Sequence, residues 1–337
     1  MHEDIEKLSL FIEKNEKLKS LVRIKNQTSV HFKGQEFPLT SFTMGSTDPQ
    51  APTLILTGGI HGIERIGAQL CLSLLKTTLE KLVWDESFHH LLKNIRLVFY
   101  PLANPVGYHH FTRSNGQGVD LMRNSPVDAT DRVPYLLGGH RLSKYLPWYR
   151  GKLGVIEAEN QALFDVFNQQ AAESLCVISV DFHSGFGLKD RLWFPYSKTR
   201  RPFEHLAELH SLTELFEKSY PFHVYKIEPQ SDGYLLHGDV WDHLYLEFIK
   251  KNRGTYIPLT LEMGSWMWVK KNPWQLISRS GLFNPMKDHR TKRIFRRHHL
   301  FFDFLIRALH SYPAWAQMNA FKRQQQETIG IGRWYEK

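Results

Sequence analysis

The chain of 337 residues carries 43 Lys and Arg against 34 Asp and Glu, a net charge of +9 with His neutral, and 42% of its residues are hydrophobic. That length can bury one large core or two smaller ones without staples, and the composition excludes wholesale disorder. The two cysteines, Cys71 and Cys176, both sit in apolar runs, which leaves no disulfide framework and no four-thiolate metal cluster.

In chain order, Ile5, Leu8, Ile12 and Leu18 recur at helical spacing and predict an amphipathic helix over 1–21. This stretch lacks the apolar core of a secretion signal, and no later stretch is long and apolar enough for a membrane span, so a soluble, cytoplasmic protein is expected. Asp48-Pro49 and Pro52 mark a break. Beyond it, short apolar runs predict strands at 53–57, 95–100, 176–181, 191–194, 223–227 and 257–261, with helical periodicity at 65–81, 158–172 and 203–218. Runs that are apolar on both faces need helices above and below. The expected fold is therefore α/β, with a mixed, mostly parallel central sheet covered by helices on both faces. One domain over 45–312 is expected, preceded by an N-terminal helix and leading strand segment (1–44) and followed by a polar, Gln-rich tail (313–337).

Much of the positive charge is local. Residues 287–299 hold six Lys and Arg against the single Asp288, which is +5 of the chain's +9. A solvated entry to a helix over 300–310 is the expected role; an electrostatic footprint for nucleic acid or an acidic membrane is the alternative. No nucleic-acid-binding module accompanies the segment, so no nucleic-acid partner is expected.

In an open α/β sheet, ligands collect at the carboxyl ends of strands. Three predicted strands end in residues able to do metal chemistry. The first runs into Gly58-Gly59-Ile60-His61-Gly62-Ile63-Glu64, where a helical turn would let His61 and Glu64 converge on one ion. The second ends Asp181-Phe182-His183-Ser184-Gly185 and supplies a third ligand, with Asp181 as an acidic group on the same strand face. Two histidines and a glutamate leave one tetrahedral position open, the pattern of catalytic zinc. The third ends Leu261-Glu262-Met263-Gly264, placing a carboxylate free to act as general base. A second His-x-x-Glu, His205 to Glu208, lies inside a helical run and reads as a solvated face. Between the first two turns, the loop 104–124 is dense in turn formers and carries Arg113 and Arg123, whose planar guanidinium groups suit a carboxylate or an oxyanion.

The ordered set His61-x-x-Glu64, Asn104-Pro-x-Gly107, Arg113, Gly118-Val-Asp-Leu-x-Arg123-Asn124, His183 and Glu262 resembles the zinc carboxypeptidases of the carboxypeptidase A type over residues 53–264. The resemblance implies one Zn2+ held by His61, Glu64 and His183, with Glu262 as the base that activates the attacking water. It casts Arg113 as the oxyanion stabiliser, Arg123 with Asn124 as the substrate-carboxylate site, and Asp120 as the carboxylate that orients His61. For the family's mobile tyrosine, Tyr245 is the expected counterpart, ahead of Tyr234 and Tyr256. Where the family has an Asn-Arg pair, this chain reads Met122-Arg123, one neutral donor fewer. The implied activity is hydrolysis of an amide bond next to a carboxylate-bearing residue, on a peptide or acyl-amino-acid substrate. An N-acyl amino acid deacylase, as in the aspartoacylase and succinylglutamate desuccinylase group, or a cell-wall peptide amidase is the alternative within the same chemistry. A non-catalytic binding protein that uses 287–299 is the alternative outside it.

Overall fold

The computed structural model describes residues 1–336. The amphipathic N-terminus forms α1 (His2–Lys14) and α2 (Glu16–Leu21), split at Asn15, whose extended backbone and side chain cap α2. A hairpin follows, β1 (Val22–Phe32) and β2 (Gln35–Gly45), joined by Lys33 and Gly34. Both residues have positive φ, the turn geometry that matches strand twist.

The chain then alternates: β3 (Thr53–Gly58), α3 (Arg65–Trp84), α4 (Glu86–Leu92), β4 (Arg96–Tyr100), α5 (Pro105–His110), α6 (Ala158–Ala171) and β5 (Cys176–Ser184). After these come β6 (Arg191–Phe194), α7 (Leu206–Ser219), β7 (Lys226–Pro229), α8 (Val240–Lys251) and β8 (Thr255–Met263). The last elements are α9 (Trp266–Lys271), α10 (Asp288–His310), α11 (Pro313–Ala316) and α12 (Ala320–Trp334). The eight strands form one sheet in the order β1-β2-β4-β3-β5-β8-β6-β7. The run β4-β3-β5-β8 is parallel, and antiparallel pairs flank it. Every residue of β3, β4 and β5 is buried, as a sheet covered on both faces requires.

From β3 the chain moves by α3 to β4 on one side, then returns by α6 over β3 to β5 on the other. Right-handed crossovers in opposite directions put α3 and α6 on opposite faces. On β4, Phe99 packs against Phe302 of α10, which lies with α3. Strand order therefore reverses between β3 and β5, and a crevice opens at their carboxyl ends.

Two expectations change. The basic segment is itself helical: α10 starts at Asp288, not near 300, because Lys and Arg are good helix formers and Ile294 and His298 provide a buried stripe at i, i+4. His205 and Glu208 are not on a solvated face. The tail folds back as α12 against α7, where Arg323 Nε bonds the buried Glu208 carboxylate at 2.9 Å, and His205 Nδ1 lies 2.9 Å from the Tyr245 hydroxyl.

Candidate metal centre

The carboxyl ends of the neighbouring strands β3, β5 and β8 carry the three sequence motifs. After β3, Gly59 takes a φ of +69° and opens a tight turn in which the Glu64 N–H donates to the His61 carbonyl at 3.1 Å. This turn, rather than a helical face, brings the two side chains together, and α3 begins one residue later. Gly62 is held against α5 so closely that a Cβ there would run into the backbone of Gly107 and Tyr108. Asn104 caps α5 by accepting from the Gly107 N–H at 2.8 Å, while its amide donates to the carbonyls of Ile60 (3.2 Å) and Arg113 (3.3 Å). The Asn104-Pro-x-Gly107 motif thus braces the His61 turn and the start of the arginine loop.

On β5, His183 stands in register with Glu262 on β8, so the two side chains leave the same face of the sheet. The metal-facing atoms converge. His61 Nδ1 is 2.9 Å from Glu64 Oε1, His183 Nδ1 is 3.1 Å from Glu64 Oε2, and the two Nδ1 atoms are 3.1 Å apart. Ligands at zinc bond lengths of about 2.0 Å around a tetrahedron stand about 3.3 Å from one another, so the three groups are spaced for one ion. Their far nitrogens are also engaged: His61 Nε2 lies 3.1 Å from Asp120 Oδ1, and His183 Nε2 lies 2.5 Å from Asp181 Oδ2. A metal on both Nδ1 atoms would leave the proton of each ring on Nε2, where a carboxylate accepts it. The residues fit zinc.

Charge balance shapes the rest of the site. Burial works against ionised Glu64, but His61 and His183 outweigh it and hold Glu64 well below the usual carboxylate range. Burial likewise opposes a charged His183, yet Asp181 and Glu64 raise it well above an ordinary histidine. For Asp120, burial is overcome by Arg113, Arg123 and His61, and its carboxyl stays far below the normal value. Glu262 goes the other way: burial and the nearby Glu64 charge push it up to about 8, while its Oε1 accepts from the Phe186 N–H at 2.9 Å.

Both arginines reach the site. Arg113 donates from Nε to Asp120 Oδ2 (2.9 Å) and from Nη1 to Glu64 Oε1 (3.2 Å). Arg123, completely buried, donates from Nη1 to Asp120 Oδ2 (2.9 Å) and from Nε to the Leu137 carbonyl (3.1 Å), leaving Nη2 without a partner. Both line a cavity of about 500 Å³ that also reaches His61, Glu64, His183 and Glu262. Its other walls are largely apolar, among them Met122, Leu137, Trp148, Phe186, Trp193, Tyr234 and Phe283.

Sequence comparison decides what this geometry belongs to: residues 13–265 match the family described as Zinc carboxypeptidase. The chain belongs to the zinc carboxypeptidase family. Among solved structures it is similar to thrombin activatable fibrinolysis inhibitor, with a TM-score of 0.61 and 20% identity over 85% of this chain and 74% of that one. It is also similar to a carboxypeptidase A from Helicoverpa armigera, with a TM-score of 0.57 and 16% identity over 84% of this chain and 74% of that one. At those identities the likeness shows a shared fold. A stretch of 100 residues, 27% of the chain, is 34% identical to Carboxypeptidase D of Drosophila melanogaster and spans 7% of that protein's length.

In this member of the family the structure gathers His61, Glu64, His183, Glu262, Arg113, Arg123 and Asp120 at one centre. Two residues expected there lie elsewhere. Tyr245 is on the inner face of α8, fully buried among the rings of Tyr196, Phe203 and Tyr256. It falls one turn after Trp241, which packs toward the sheet, so helical periodicity turns it inward as well. Tyr234, passed over in the sequence, lines the cavity. Asn124 is a strut: its amide donates to the carbonyls of Arg150 and Val155, both at 2.9 Å, and its Oδ1 accepts from the Glu157 N–H. The sequence reading missed the pairing of His183 with Asp181, whose Oδ2 also accepts from Trp241 Nε1 at 2.9 Å. The Asp-x-His spacing on a strand was its only signal.

Proposed function

We propose that this chain is a zinc-dependent amide hydrolase that cuts the bond next to a carboxylate-bearing residue, with Glu262 as general base. The observation that carries this reading is Arg123, which lines the cavity that holds the His61, Glu64 and His183 cluster and whose buried Nη2 has no partner. A buried donor left unpaired costs about 1–3 kcal/mol, and a substrate carboxylate would remove that cost. His61, Glu64 and His183 would hold the zinc, which when bound supplies Lewis-acid polarisation of the scissile carbonyl and makes water more acidic.

The protein's own groups supply the rest. Arg123 seats the substrate carboxylate and so fixes which amide faces the cluster. Glu262 takes a proton from the attacking water and returns it to the leaving amine, a role suited to a carboxyl held near neutral pH. Arg113, anchored on Asp120 and Glu64, offers its guanidinium to the oxyanion. Met122 lines the cavity where the family carries an amide, so the carboxylate rests on Arg123 without that neighbouring donor. That difference keeps N-acyl amino acids beside peptides as candidate substrates.

The test is a panel of N-acylated dipeptides, N-acyl amino acids and their C-terminal amides, assayed with zinc-loaded and chelated protein. Hydrolysis restricted to free carboxylates and abolished by chelation is expected. Equal rates on amidated substrates would overturn the role given to Arg123, and no turnover of any member would overturn the reading.

A further inference from the structure

We infer that residues 266–287, together with the exposed side of the first half of α10, dock this protein on an anionic lipid surface.

The segment is built inside out. Two of its amide side chains turn inward, Gln275 Nε2 to the Gly281 carbonyl and Asn284 Nδ2 to the carbonyls of Ile63 and Ser280, and from α10 Arg290 Nη1 reaches the Trp268 carbonyl. Its large apolar side chains face water instead, with Trp274 and Ile277 each 78% exposed, Leu276 57%, Met286 47% and Trp266 44%. Isolated exposed hydrophobics are ordinary, but five within 21 residues mark an interaction surface.

Charge says what that surface meets. Residues 263–302 contain nine Lys and Arg and one acid, Asp288, so this stretch holds almost the whole net charge of the chain. Lys270, Lys271, Arg279 and Lys287 are exposed in the same segment, and exposed Lys292, Arg293 and Arg296 continue along α10. None of these seven has an ion-pair partner among the described residues. Tryptophan and aliphatic side chains surrounded by lysine and arginine are what a monotopic protein presents to acidic headgroups: the charges find the surface and the apolar groups enter the acyl boundary. A second copy of the chain would set this positive patch against itself. A nucleic acid would satisfy the charge but leave Leu276, Ile277 and Met286 in water.

The position relative to the active site gives the surface a use. Phe283 and Leu282 line the catalytic cavity, and Trp266 packs at a tilt against the cavity residue Phe186, ring centroids 5.4 Å apart, and donates from Nε1 to the Gly185 carbonyl. Docking by this segment would therefore bring the cavity that Leu282 and Phe283 line toward the lipid boundary.

The full-length protein, sedimented with vesicles of phosphatidylcholine alone or mixed with phosphatidylglycerol, should bind only the mixed vesicles, and bind less as salt rises. Trp274→Ser with Ile277→Ser leaves the charge unchanged and should weaken partitioning by about tenfold or more, as should Lys270→Glu with Lys271→Glu. These exposed positions allow native folding, which circular dichroism verifies. Absence of binding to mixed vesicles would overturn the inference. So would a Trp274→Ser, Ile277→Ser protein that binds them as wild type does, because the surface would then serve charge alone.

Discussion

Replacing Asp120 by Asn tests the metal centre through a proton rather than through a ligand. Asp120 Oδ1 accepts from His61 Nε2 (3.1 Å) and the Met122 N–H (3.2 Å), while Oδ2 accepts from Arg113 Nε and Arg123 Nη1, both at 2.9 Å. Asparagine has one oxygen for these four donors. If it faces the arginines, the new NH2 meets the Met122 N–H and His61 Nε2, and the imidazole keeps a hydrogen bond only by moving its proton to Nδ1. That move removes the lone pair that would bind the metal. If the oxygen faces His61 instead, two guanidinium N–H groups in the interior lose their acceptor. Loss of a carboxylate behind a metal-binding histidine costs about 10–100-fold in affinity. Each charge-assisted bond lost from a buried group is worth about 1.5–3 kcal/mol. With an unfolding entropy of about 2.1 cal/mol/K per residue over 337 residues, a loss of about 3 kcal/mol lowers Tm by about 4 °C.

The zinc affinity of Asp120→Asn, measured by competition with a chromophoric chelator, should therefore fall at least about tenfold, and the metal-free protein should melt several degrees earlier. Asp181→Asn is the control. Both donors to Asp181, His183 Nε2 and Trp241 Nε1, meet the same Oδ2, and Oδ1 has no partner, so an asparagine can keep both bonds and turn its NH2 to the vacant side. Its zinc affinity should drop well under tenfold. Equal losses in the two variants would mean that charge alone matters and would refute the tautomer argument, as would an unchanged Asp120→Asn.

Three further outcomes follow from the site and its surroundings. Glu262→Gln should retain zinc by elemental analysis yet hydrolyse acylated dipeptides at least about 10³-fold more slowly; a near wild-type rate would remove Glu262 from the mechanism. Arg123→Lys keeps a cation beside Asp120 but loses the second fork of the guanidinium, so kcat/KM should fall about 100-fold for substrates with a free carboxylate and stay level for their amides; a parallel fall would assign Arg123 to structure alone. Away from the metal, burial pushes Asp239 up to about 6, and burial with the neighbouring Asp239 charge pushes Asp242 up to about 8, against an ordinary 3.8. The folded state thus holds protons that the unfolded chain releases, and stability declines as pH rises from about 4 to about 8. Calorimetry of the metal-free protein should show Tm dropping across that range, with a shallower drop in Asp242→Asn; identical slopes would contradict the pairing.

The centre was legible in the sequence to the extent that it is built from local turns. Each both-face-apolar run ends in a glycine-bearing turn, and the ligand or base sits within a few residues of that end, so His61, Glu64, His183 and Glu262 could be found from spacing and residue type. The hairpin of β1 and β2 was hidden because its outer strand alternates exposed and part-buried residues without strong apolar character. The helix α12 was hidden by composition: Gln, Arg and Lys hide a narrow buried stripe of Gln326, Gly330 and Trp334 at four-residue intervals, though all three polar types favour helix. Tyr245 was placed wrongly because distance along the chain from Glu262 does not encode which side of α8 meets the sheet.

Strand order is the deeper gap. Nothing in the three motifs states that β3, β5 and β8 are consecutive in the sheet, yet the geometry depends on it. Neighbouring strands lie about 4.8 Å apart, so inserting one strand between β5 and β8 would carry Glu262 that much farther from His183, its present partner in the register. The base would then stand beyond hydrogen-bond reach of a water held at the cluster. The motifs therefore supply the chemistry only because two returns of the chain over the sheet, set by the hand of the crossovers, make their strands neighbours.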